Sequence, residues 1–265
     1  MSKNSQLITA ATGAAAALGA YFLLAHTKCT ASLLKCPCSG KKKIPEGTEV
    51  KLYYYKATGL ANQIRLALAA ANIDFTDEYP TGFPPSAEDK ELWKKIGGNS
   101  TTNVPMLTIG DKVYTQSMAV MKVIGRKANL LPKGDDEYIC DKLLADAQDF
   151  RTAAYKSFVT WGADQKTADD FIQNVVPLHF GNIERQLKEA KSTYFIGEKL
   201  TIADISIYDA IVNFGTSRLP EDVMGNYPAL KAFVAKVEEN PGIAKYLKSE
   251  QFAGLMKFDK STLGY

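Results

Sequence analysis

Charge is missing where a soluble chain normally carries it. No Asp, Glu, Lys or Arg occurs between Asn4 and Thr27, and residues 1–48 contain no Arg at all. An Arg-free N-terminus argues against an ordinary transit peptide. Acidic residues are equally scarce there: Glu46 stands alone against Lys3, Lys28, Lys35, Lys41, Lys42 and Lys43. The whole chain has a net charge of only +3, concentrated in this segment, which excludes a nucleic-acid-binding face and suits contact with anionic lipid. Cysteine is sparse as well. Of four, Cys29, Cys36 and Cys38 crowd into residues 29–48 and only Cys140 lies further on. That pattern is no disulfide framework and points to a reducing compartment for the folded part. Cys36-Pro37-Cys38 with His26 lacks metal-ligand spacing, so no metal is expected.

What the N-terminus does have is Leu7–Ala25, 19 apolar and small residues. As a helix it would extend roughly 28 Å, close to a hydrocarbon core. Residues 1–28 are therefore expected to form a hydrophobic anchor, with a cleaved signal segment or an apolar tail as alternatives. The lysines that follow place the folded part on the cytosolic side. Residues 29–48 read as a basic, Cys-containing linker, and palmitoylation of its cysteines is a hypothesis.

At Val50 the texture changes. Lys51–Tyr55 has strand composition, Leu60–Ala71 has helical spacing, and Asp74–Tyr79 reads as a second strand. A loop at 81–85, a helix at Ala87–Ile96, a strand from Val104 to Ile109, a turn at Gly110-Asp111, a return strand and a helix from Gln116 follow. The order β-α-β-α-β-β-α over 49–130 is that of a thioredoxin-like domain. After a linker near 129–136 everything is helical. An all-helical domain is expected over 135–257, with one continuous helix over Lys166–Ala190 and another over Thr201–Thr216. Thr201-Ile-Ala-Asp204 has the pattern of a capping box.

The chemistry is expected at the end of the first strand. In a thioredoxin-like fold the following helix points its positive end at the site, which favours an anion and lowers a thiol pKa. A tyrosine hydroxyl, with a pKa near 10, remains a donor at neutral pH. Alternation sets Tyr54 on the opposite face from Tyr53 and Tyr55. This leaves open whether it is a donor or one aromatic of a half-buried strand. Val104-Pro105 offers extended backbone that pairs with a peptide ligand, or a proline that merely opens a strand. Gln116-Ser117 offers donors and acceptors at a helix start, or an ordinary cap.

Taken in order, Lys-Leu-x-Tyr-Tyr, Gly59-x-Ala61, Arg65, Trp93, Val104-Pro105, Gln116-Ser117 and Thr-Ile-Ala-Asp204 resemble the cytosolic glutathione transferases, the tyrosine-type sigma class above all. The resemblance covers about residues 49–250, with the N-terminal hydrophobic segment added in front. It implies Tyr54 as the catalytic residue that donates to the glutathione sulfur. It implies Trp93 at the glycyl end, the Val104 backbone before a cis Pro105 on the cysteinyl part, and Gln116 and Ser117 on the γ-glutamyl end. Asp149 would reach the glutathione of the partner subunit, which implies a homodimer. Glutathione would be the co-substrate, hydrophobic electrophiles the second substrate, and Phe150, Tyr155 and Phe158 would line a pocket between the halves.

Two departures stand out. Leu60 occupies the place of an arginine near the thiol, and Gly97 that of a lysine for the glycyl carboxylate, with Lys94 and Lys95 nearby. Each lost charged hydrogen bond costs roughly 1.5–3 kcal/mol if nothing replaces it. Thr58 is a second candidate hydroxyl. The absence of Cys between Tyr54 and Leu66 argues against thiol-exchange chemistry. Trp161 and His179 read as core residues. The resemblance leaves two rivals to a transferase: a glutathione-dependent isomerase acting on a prostaglandin-like substrate, and a non-catalytic binding or scaffold protein.

Overall fold

The computed structural model describes residues 44–98 and 103–263. The expected anchor, the linker cysteines and their lysines lie outside the described residues. Among the described residues no helix is long and apolar enough to cross a membrane.

Four short strands form one sheet. β1 (Val50–Tyr53) runs parallel to β2 (Thr76–Glu78) and antiparallel to β3 (Met106–Ile109), which pairs antiparallel with β4 (Lys112–Thr115); the order is β2-β1-β3-β4. Val50 and Leu52 are buried while Lys51 and Tyr53 are partly exposed, the period-two pattern of a strand with one face on the core. A 3-10 turn (Gly59–Ala61) leads into α1 (Asn62–Ala70), whose Ile64, Leu66, Ala67 and Leu68 are fully buried. α2 (Ala87–Gly97) begins with a reciprocal Ser86–Asp89 capping box, and α3 (Ser117–Ala128) closes the thioredoxin-like half.

The helical half is built around α4 (Asp136–Lys156), α6 (Val176–Ala190) and α7 (Ile202–Asp209), with a short α5 (Gln165–Asp170) between the first two. α8 (Pro228–Glu238), α9 (Pro241–Leu247) and α10 (Glu250–Ala253) complete it. Thr201 and Asp204 form the expected capping box, and Asp204 also accepts from the Phe195 N–H at 3.0 Å. The side-chain oxygens therefore satisfy amides that the first helical turn leaves without partners.

Four expected elements differ. The first strand ends at Tyr53 rather than Tyr55, and β3 starts at Met106 rather than Val104, because the Val104–Pro105 peptide is cis and turns the chain. The expected single helix over Lys166–Ala190 opens into a π turn at Phe171–Val175, just before Pro177, whose ring is incompatible with a regular turn behind it. The helix after Thr201 likewise passes into a π turn at Ala210–Thr216. There the Phe214 carbonyl accepts from Arg218 Nε at 3.1 Å and the Asn213 carbonyl from Ser217 Oγ at 2.9 Å, so side chains replace part of the helical ladder.

The two halves meet through a buried polar network. Asp209, fully buried, accepts from Arg151 Nη2 and Asn62 Nδ2, each at 2.8 Å, and Ser206 donates to Gln63 at 2.8 Å. Burial pushes the Asp209 carboxyl up, and Arg151 opposes that. α9 packs on α1 so closely that a Cβ on Gly242 would lie 1.9 Å from the Ala69 carbonyl oxygen. Backbone cannot rotate out of the way, so Gly242→Ala is expected to cost at least about 1–3 kcal/mol. Thermal unfolding is expected to show a Tm lowered by about 2–4 °C per kcal/mol for a chain of this size.

Candidate active site

The last paired row of the sheet is Tyr53, Met106 and Thr115 on three adjacent strands. One residue beyond that row stand Tyr54, Pro105 and Gln116. The sheet register thus brings three of the expected site residues to one edge, with Val104 and Ser117 next to two of them. Two of these positions have unusual backbones: the Val104–Pro105 peptide is cis, and Gln116 has φ +68° at the mouth of α3. A non-glycine residue held in that region is uncommon and marks a position that its surroundings dictate. Among the described residues, no backbone group pairs with Val104. Gln116 is exposed and Ser117 half-buried.

Tyr54 itself is buried, and its hydroxyl accepts a hydrogen bond from the Leu60 N–H at 3.1 Å. Leu60 lies in the first turn leading into α1, so the hydroxyl oxygen rests on the positive end of that helix. The contact depends on Gly59, whose φ is +43°; a Cβ there would sit 2.5 Å from the hydroxyl oxygen and 2.8 Å from the ring. Burial raises the Tyr54 pKa, opposed by the Leu60 N–H, by the neighbouring Tyr155 hydroxyl and by Arg65. The group is therefore neutral near pH 7, and its hydroxyl is shared between the Leu60 amide and the Tyr155 hydroxyl.

Arg65 fixes the loop that carries this arrangement. Its Nε holds Asp77 at 2.9 Å, and its Nη1 donates to the carbonyls of Ala57 at 2.9 Å and Thr58 at 3.4 Å. The Thr58 hydroxyl is committed to Asn213 at 2.6 Å and is buried, which removes Thr58 as the thiol's hydroxyl donor. Leu60 is half-buried, and Lys94 is paired with Glu91 at 2.7 Å.

Trp93 is buried and meets the edge of Tyr55 at 5.8 Å, which in turn meets Tyr54 at 5.3 Å. Asp149 is exposed on α4, near His179 of α6. Of the three expected lining residues, Phe150 and Phe158 are fully buried core, whereas Tyr155 is only partly buried beside Tyr54. Trp161 corrects its expected core position: it is 52% exposed and lies nearly parallel to Tyr155 at 5.7 Å. Its place directly after a long amphipathic helix carried no periodic signal that distinguishes a surface ring from a core one. Among the described residues, no group of His, Cys, Asp and Glu is placed to hold a metal.

A thioredoxin-like sheet followed by a helical second half defines a protein of two-domain type. Sequence models of the glutathione S-transferase N-terminal domain and C-terminal domain match residues 50–126 and 148–250. The class-mu 28 kDa glutathione S-transferase of Schistosoma japonicum is 30% identical over 217 residues, covering 77% of this chain and 98% of the relative. Mouse glutathione S-transferase A4 is 29% identical over 200 residues, covering 75% and 87%. Among solved structures, the prostaglandin synthase D of Nilaparvata lugens superposes with a TM-score of 0.64 at 25% identity, covering 76% of this chain and 98% of that one. The chain belongs to the glutathione S-transferase family, and it is a glutathione transferase.

Gly59→Ala tests the seat of the tyrosine. The added methyl displaces the Tyr54 hydroxyl from the Leu60 amide, so kcat/KM for glutathione conjugation is expected to fall at least about tenfold. A variant with unchanged activity contradicts the need for this contact.

Proposed function

We propose that Tyr54 donates its hydroxyl proton as a hydrogen bond to the thiolate of glutathione, which then attacks a hydrophobic electrophile. The observation that carries this reading is the Leu60 N–H on the Tyr54 oxygen: the hydroxyl is anchored at a helix start and neutral, as a donor to an incoming anion must be. The Val104 backbone beside it, unpaired among the described residues, supports strand-like pairing with the cysteinyl part of the tripeptide. Gln116 and Ser117, at the mouth of α3, are proposed for the γ-glutamyl end, and Trp93 for the glycyl end. Such a site works by orientation and by stabilising the sulfur anion. Leu60 supplies an amide where relatives of the sigma class would supply a guanidinium, so thiolate stabilisation falls more heavily on Tyr54.

The exposed Trp161 face, stacked on Tyr155 next to Tyr54, is proposed as the wall that receives the electrophile. An aromatic wall suits a flat aromatic substrate. The structural likeness to a prostaglandin synthase favours a second use of the same thiolate, an isomerase reaction on an endoperoxide. Asp149 is proposed to face the partner's glutathione in a homodimer. Tyr138 of α4 and Leu178 of α6, 72% and 71% exposed, provide apolar surface on the two helices that such a dimer would use. Attachment to a membrane through residues 1–28 is proposed from the sequence alone; release of the intact protein by alkaline carbonate would overturn it.

Tyr54→Phe is expected to lower kcat for conjugation of a chlorodinitroarene by about 10²-fold, the usual effect of removing one preorganised donor from a developing or resting anion. The pKa of bound glutathione, followed by thiolate absorbance, is expected to rise in the same variant. Retention on glutathione resin with turnover unaffected by the substitution would sink the assignment. Trp161→Ala is expected to raise KM for the arene more than for glutathione, measured by varying each in turn.

A further inference from the structure

Among the described residues three arginines are fully buried, and two of them are neutralised. Arg65 holds Asp77 at 2.9 Å and Arg151 holds Asp209 at 2.8 Å. Arg218, just beyond the π turn at Ala210–Thr216, has no carboxylate partner among the described residues. Dipoles and rings surround it instead. Its Nε donates to the Phe214 carbonyl at 3.1 Å, and its Nη2 donates to the same oxygen. Its Nη1 reaches the Ala154 carbonyl at 3.4 Å and the Ser157 hydroxyl at 3.5 Å. The guanidinium carbon lies 4.4 Å from the centre of the Phe158 ring and 4.9 Å from that of Phe171. Burial pushes its pKa below the ordinary arginine value, the mark of a charge that its surroundings do not balance, yet it stays cationic near pH 7.

An unpaired guanidinium in an apolar shell is unfavourable, and its field is screened far less than that of a surface charge. The titratable group on which this field acts is Tyr155. Ala154 and Ser157, which Arg218 holds, flank Tyr155 at the end of α4. The Tyr155 ring packs edge-on against Phe158 at 5.4 Å and Phe214 at 5.1 Å, the residues that also hold Arg218. The Tyr155 hydroxyl meets that of Tyr54. Their contact lowers the Tyr54 pKa and raises that of Tyr155, as when Tyr155 donates and Tyr54 accepts. The other groups that face these two hydroxyls are Arg65, Arg151, Asp209 and Tyr55. The carboxylates cancel Arg65 and Arg151, and Arg218 is left uncancelled behind Tyr155.

We propose that Arg218 is a positioning residue for the thiolate, acting through two hydroxyls in series: Arg218 fixes and polarises Tyr155, Tyr155 donates to the Tyr54 oxygen, and Tyr54 donates to the sulfur anion of glutathione. This rests on the assignment of Tyr54 made above. In a chain of hydrogen bonds each donor polarises the next. The buried cation therefore stabilises negative charge on the sulfur without touching glutathione or the electrophile.

The test is the pKa of glutathione bound to the full chain, followed by thiolate absorbance over a pH series, with thermal unfolding measured alongside. Arg218→Met is expected to raise that pKa by about 0.5–1 unit, the size of a single charge felt through a low-dielectric interior. Tyr155→Phe, which keeps the ring and removes the hydroxyl, is expected to raise it by a similar amount. Because both act through one hydroxyl, the double variant is expected to show no more than the larger single shift. Arg218→Lys keeps the charge and loses the fork, so it is expected to hold the wild-type pKa while its Tm falls. A purely structural clamp predicts otherwise: Tm falls in both Arg218 variants and the pKa moves in neither. That result, additive shifts in the double variant, or an Arg218→Lys pKa as high as that of Arg218→Met would each overturn the proposal. Should Arg218→Met not fold, an unchanged pKa in Tyr155→Phe overturns it equally. Tyr54→Phe separates the failures. A pKa that rises there but not in Tyr155→Phe overturns this inference alone, whereas one that does not rise in Tyr54→Phe overturns the assignment of Tyr54 as well.

Discussion

The Arg65 guanidinium is the contact on which the site geometry rests. It is fully buried, and it ties together three pieces of chain: α1, where it originates, the Asp77 carboxylate of β2, and the carbonyls of Ala57 and Thr58. Those two carbonyls belong to the loop whose next residues are Gly59 and Leu60. Holding the carbonyls inward directs the following amide at Tyr54. The second Asp77 oxygen is taken by Gln251 at 2.7 Å, so the same ion pair also fastens the end of the helical half to the sheet. Breaking such a buried pair by removing one member typically costs about 3–5 kcal/mol, because the other charge is left uncompensated.

The partner of that clamp is the Arg151–Asp209 pair, buried on both sides at 2.8 Å. With Asn62, Gln63 and Ser206 it makes the seam between the halves polar in its centre and apolar around it. A polar seam specifies a single mutual orientation, whereas an apolar one tolerates sliding. Here that orientation decides whether Thr58 meets Asn213, and so whether the loop between β1 and α1 is held from behind.

Much of this was legible in the chain. The alternation through Val50, Leu52 and Tyr54, the helical spacing after Leu60 and the Thr201–Asp204 cap are local signals, and the elements they indicate are present. The edge formed by Tyr54, Pro105 and Gln116 follows from strand order once β1, β3 and β4 are placed. What the sequence could not disclose depends on partners distant in the chain. Thr58 has the look of a reactive hydroxyl until Asn213, 155 residues on, accepts its proton. Trp161 looks like core until Tyr155 covers only one of its faces. The π turns leave no pattern, since an extra residue in a helix shifts the spacing without changing composition.

The segment around Met256 forms a short parallel bridge with Ala57: the Met256 N–H donates to the Lys56 carbonyl and the Met256 carbonyl accepts from the Thr58 N–H, both at 3.0 Å. Some 198 residues separate the two ends of this stitch. At synthesis rates of 5–20 residues per second, about 10–40 s pass between them. During that interval the sheet half is complete in sequence while its loop between β1 and α1 has neither its stitch nor its Asn213 support. Newly made chains therefore pass through a stage in which the sheet edge that carries Tyr54 is present while the loop beside it is unsupported, and the fold matures from its far end backwards.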